Sequence, residues 1–82
     1  MDPGAVVITF ASTLDAFAFE DAARAAGLPG RLIPLPTGIA ASCGLAWKLP
    51  AGVDADAQDG LPQLRREGVY RHESGTYHRL DA

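Results

Sequence analysis

This chain has one cysteine, Cys43, and that scarcity already excludes an intramolecular disulfide. It has one lysine, Lys48, and its seven basic residues are outnumbered by ten acidic ones, giving a net charge of −3. Such a balance argues against non-specific binding to nucleic acid or to an anionic membrane surface. No stretch approaches the ~20 apolar residues needed to cross a bilayer. The start, Met1-Asp2-Pro3-Gly4, lacks the basic segment of a secretory signal, so a cytoplasmic, reducing compartment is expected. The glycines are scattered, with neither a Walker nor a dinucleotide-binding spacing, and no cofactor is expected. What is present is 82 residues that are 48% hydrophobic, too apolar for a disordered chain and of a size for one domain spanning 1–82. A chain this short has little material for a closed pocket of ~300 Å³ or more, which disfavours a self-contained enzyme.

The apolar run Ala5-Val6-Val7-Ile8-Thr9-Phe10 is β-branched and short, the pattern of a buried strand. Ser12 and Thr13 then offer capping hydroxyls, and a helix is predicted to about Ala26, with Gly27 as its left-handed terminator and Pro29 preventing its resumption. Phe17 and Phe19 point to different sides of that helix, and periodicity alone does not say which is buried. Arg31 to Leu35 reads as a second strand, confined to a sheet edge by Pro34 and Pro36. Leu45, Trp47 and Leu49 alternate with Ala46 and Lys48 as a half-buried third strand. Leu61 to Glu67 predicts a short second helix ended by Gly68, and the segments 69–72 and 76–80 are extended, either as one bulged strand or as a hairpin at Glu73-Ser74-Gly75. The order is β-α-β-β-α-β, an α+β chain of the ferredoxin-like split type with a short second helix.

In that topology the loop between the second and third strands lies at the carboxyl end of the first strand. Cys43 is then expected on the same rim as Ser12 and Thr13, where a helix N-terminus presents unpaired N–H groups. Thiols in such surroundings are activated as nucleophiles. Ser42 and Gly44 flank the thiol, Gly44 leaving room for close approach of another group, and Arg65 and Arg66 are expected to face the rim as anion-stabilising or docking charges. The competing reading is a buried cysteine acting as a small hydrophobe, and the residues leave the two open.

Three blocks, Thr9-Phe10-Ala11-Ser12-Thr13, Gly27-Leu28-Pro29-Gly30-Arg31-Leu32-Ile33-Pro34-Leu35-Pro36 and Ser42-Cys43-Gly44-Leu45-Ala46, together resemble a small bacterial family of selenium/sulfur carrier-like proteins. The resemblance runs from about Val6 to Leu49, with a looser match at Glu67-Gly68 and near Tyr77. It implies that Cys43, as an accessible thiol, holds sulfur or selenium as a persulfide or selenosulfide, received from one protein and passed to another. Two positions depart from the family pattern. Thr37-Gly38 stand where a basic and then a polar residue are expected, and Gly60 and Pro62 interrupt the second helix.

Other constellations are weaker. The acidic stretch at Asp54, Asp56 and Asp59 lacks the glycine and glutamate of a calcium loop. His72, His78 and Cys43 match no compact zinc spacing. The sheet face carrying Val7, Thr9, Ala46 and Lys48 is expected to be open, which suggests a homodimer. The leading expectation is therefore a thiol carrier centred on Cys43. The alternative is a non-catalytic binding or regulatory module with a structural cysteine.

Overall fold

The computed structural model describes residues 4–50 and 67–80. Val6–Thr9 (β1) is fully buried along its length, as its unbroken β-branched run requires of a strand covered on both faces. It leads into a helix, Thr13–Ala25 (α1), whose N-cap is Ser12: the Ser12 hydroxyl accepts from the Asp15 N–H at 3.1 Å. The helix ends as the sequence predicts. Leu28 N–H donates to the Ala23 carbonyl and Gly27 N–H to that of Arg24, a Schellman closure that needs the positive φ of Gly27 (72°).

Arg31–Pro34 (β2) and Leu45–Leu49 (β3) follow, then Gly68–Glu73 (β4) and Thr76–Arg79 (β5). The sheet order is β2-β3-β1-β4-β5, every neighbouring pair antiparallel. Since β1 and β2 both run against β3, they are parallel to each other, and α1 carries the chain from one to the other across the intervening strand. β2 is an edge strand, as its prolines dictate. Of the two readings of the C-terminal segment, the hairpin is observed: Ser74 (φ 52°) and Gly75 (φ 80°) form the tight left-handed turn that joins twisted strands.

Among the described residues there is one helix, so the architecture is a small α+β unit with a five-stranded antiparallel sheet. The second helix expected over 61–67 lies outside the described residues except for its last member. Glu67 is not helical, and Gly68, expected to end that helix, instead opens β4 opposite Thr9.

The core has two parts. Against α1, the side chains of Val6, Ile8, Phe10, Trp47, Leu49 and Val69 meet Ala16, Phe19 and Ala23. The Phe19 ring lies 5.3 Å from that of Phe10 and 5.6 Å from that of Trp47, in tilted arrangements favoured by the ring quadrupoles. Phe19 is thus the buried phenylalanine, while Phe17 is 48% exposed. On the opposite face, Val7 and Ala46 are sealed by Ile39, with Ile33, Leu35, Tyr70 and Tyr77 around them. The open face expected at Val7, Thr9, Ala46 and Lys48 is corrected: Val7 and Ala46 are buried with Ile39 of the β2–β3 connection, Thr9 is buried with its hydroxyl donating to the Gly68 carbonyl, and Lys48 is half-buried.

Candidate functional site around Cys43

The carboxyl end of β1 is a junction of three segments. The Thr9 carbonyl accepts from the Glu67 N–H (2.7 Å) and the Phe10 carbonyl from the Cys43 N–H (3.2 Å), so both segments are sewn to the strand end by backbone bonds. The 35–44 connection spans this end of the sheet. Its Leu35 N–H donates to the Gly44 carbonyl, closing the loop at its base. Between them Gly38, at φ 101°, turns the chain beside the Tyr77 ring, a conformation glycine adopts without strain. Ile39 belongs to one core cluster and Cys43 to the other, so the loop straddles the sheet end and drops a side chain onto each face.

Cys43 is a free thiol beside the start of α1. Its Sγ accepts a hydrogen bond from the Leu45 N–H at 3.4 Å and lies 3.8 Å from the Thr13 hydroxyl. The rim placement derived from topology is therefore observed. Of the two readings the residues left open, the structure gives burial for the thiol at rest: Cys43 is only 4% exposed and belongs to the α1-side core cluster that also holds Phe10, Phe19 and Trp47.

The flanking residues divide. Thr13 reaches the thiol, but the Ser12 hydroxyl is committed to capping α1. Ser42 is engaged by another residue: its N–H and its hydroxyl both donate to the Glu67 carboxylate, at 3.0 and 3.1 Å. At Gly44 an added Cβ would meet nothing within 4 Å among the described residues, so the approach expected there is not made within this part of the chain. Arg65 and Arg66 lie outside the described residues. Two contributors were not legible in advance. The Leu45 N–H has no sequence signature, whereas Glu67 had one weak pointer, its place in the Glu67-Gly68 match.

Elsewhere, His72 rests on the Tyr77 ring (5.0 Å) and His78 Nε2 lies 3.3 Å from the Thr76 hydroxyl. No cluster of three His, Cys, Asp or Glu side chains is placed to hold a metal among the described residues. Trp47 is core, its indole N–H donating to the Pro29 carbonyl. An open hollow of about 220 Å³ lined by Gly30, Arg31, Lys48 and Pro50 lies at the other end of the β2–β3 ladder from Cys43. No helix among the described residues is long and apolar enough to cross a membrane.

Fold and site define a small α+β protein with a single thiol held at the junction of a helix start and a strand end. The family model described as "Putative Se/S carrier protein-like" matches residues 5–68 of the 82, and the chain belongs to that family. No curated protein and no solved structure matches it.

Proposed function

We propose that this protein carries sulfur or selenium on Cys43, taking the atom from a donor protein and giving it to an acceptor, and is not itself a turnover enzyme. The observation that carries this reading is the placement of the family-matched thiol at the head of α1, where its sulfur already accepts from the Leu45 N–H and meets the Thr13 hydroxyl. Both groups suit a sulfur that bears negative charge, and the first turn of the helix adds its partial positive end.

In the loading step the Cys43 thiol first releases its proton to solvent. The Cys43 sulfur then attacks the outer sulfur of a donor persulfide: the new Sγ–S bond forms, the donor's S–S bond breaks, and the electron pair leaves on the donor thiolate. Unloading repeats the exchange with Cys43 as leaving group, so neither step needs an external oxidant. Ser12 serves by fixing the helix start, Ser42 and Gly44 by setting the loop, and Arg65 and Arg66 as docking charges. A reducing cytoplasm would keep such a thiol in use. The order β2-β3-β1-β4 with α1 crossing from β1 to β2 supports a ferredoxin-like β-α-β-β-α-β parent fold within one domain of residues 1–82.

Incubation with a persulfide donor followed by mass spectrometry tests the reading. A sulfur or selenium adduct on Cys43, absent from a Cys43→Ser variant, is expected; an unmodified native protein overturns it. The second reading, a protein-binding module with a structural cysteine, is favoured by one observation, the 4% exposure of Cys43, and it expects no adduct while the chain is folded.

A further inference from the structure

A buried thiol reacts only when something opens, and the contacts around Cys43 differ in what opening them costs. Its side chain packs in the apolar core, its N–H is bound to the Phe10 carbonyl, and the loop base is closed by Leu35 and Gly44. The remaining restraint is of another kind. The Glu67 carboxylate takes the N–H and the hydroxyl of Ser42, one on each oxygen, at an exposed position. Glu67 is itself fixed from the backbone, by its N–H on the Thr9 carbonyl and its own carbonyl accepting from the Arg79 guanidinium at 3.0 Å. The side chain thus works from a fixed base, and its carboxylate spans from that base to the residue preceding the cysteine.

We propose that Glu67 is a positioning residue that latches the 42–44 turn through Ser42 and thereby sets how often the Cys43 thiol is presented. Breaking the two bonds leaves the backbone bonds of Glu67 intact, so the 42–44 turn can draw Cys43 out of the core while the sheet stays folded. Hydrogen bonds to a charged group are the stronger kind, so losing the pair shifts the local opening equilibrium by about tenfold or more. The proposal deepens the carrier reading by naming what regulates its thiol, but it concerns access only.

The test is the rate at which Cys43 in the full chain reacts with an aromatic disulfide reagent, measured across low urea concentrations. Glu67→Ala is expected to react about ten times faster than the parent or more, with a urea dependence well below that of global unfolding, the mark of local opening. Ser42→Ala, which loses only the hydroxyl bond, is expected to react about threefold faster, and it stands in if Glu67→Ala fails to fold. Glu67→Gln, which keeps one carbonyl acceptor, should fall between the parent and Glu67→Ala. Rates unchanged by both alanine variants, or raised only with the full urea slope of global unfolding, overturn the latch. No donor is involved, so an adduct on Cys43 with an unaltered Glu67→Ala rate would sink the latch alone, and a fast Glu67→Ala with no adduct would sink the carrier reading alone.

Discussion

Two phenylalanines placed two residues apart on the same helix give a sharp test of the packing. Phe19 is fully buried between the rings of Phe10 and Trp47, whereas Phe17 is 48% exposed. Phe19→Ala removes a ring from a close-packed site and leaves a cavity, a change that costs ~3–5 kcal/mol. At Phe17 about half of the ~1.5–3 kcal/mol available from burying the ring is at stake, some 1 kcal/mol. The better helix propensity of alanine returns ~0.5 kcal/mol of that, leaving a net cost near ~0.5 kcal/mol. A domain of 82 residues is stable by roughly 4–12 kcal/mol, so the first change removes about a quarter of the total or more and the second far less. Urea unfolding followed by the fluorescence of Trp47, the sole tryptophan and only 1% exposed, reports both. With a slope of about 1 kcal/mol per molar, the Phe19→Ala midpoint should fall by ~3 M or the protein should not fold at all. The Phe17→Ala midpoint should move by less than ~1 M. Equal losses, or a larger loss at Phe17, would refute the assignment of the buried face.

The remaining predictions concern backbone and cap. An alanine at Gly30 (φ 120°) would drive its Cβ into the Lys48 carbonyl and the Trp47 indole nitrogen, so Gly30→Ala should cost at least ~1–2 kcal/mol in the same urea titration. Gly44→Ala, at a residue without positive φ where an added Cβ meets nothing within 4 Å among the described residues, should be close to neutral in that assay. Ser12→Ala removes the cap acceptor of the Asp15 N–H and should lower the calorimetric Tm by roughly 4–8 °C, the equivalent of about 1 kcal/mol, while Ser12→Asp should hold it.

The features that could be read in advance are those with local causes. The β-branched run of β1, the capping serine, the Gly27 and Pro29 stop and the alternation of β3 are each decided within a few residues, and all are found where the sequence puts them. The meeting of Thr13 with Cys43 followed from strand connectivity, because a split β-α-β fixes which loops share a rim. Side-chain burial does not have local causes. Nothing in residues 35–44 announces that Ile39 will seal one sheet face while Cys43 enters the core of the other, since each outcome depends on what the opposite strands present.

The sequence by itself determined that this protein has one thiol, no internal disulfide, a capped helix after a buried strand, and a cysteine on the rim where that helix begins. The tertiary structure decided that the thiol is covered, that Phe19 and not Phe17 is core, and that Glu67 holds the residue beside the cysteine. The division has one physical reason. Hydrogen-bonded caps, turns and strand periodicity are set by neighbours along the chain, whereas burial and the Ser42–Glu67 bond join groups that only the closed sheet brings together.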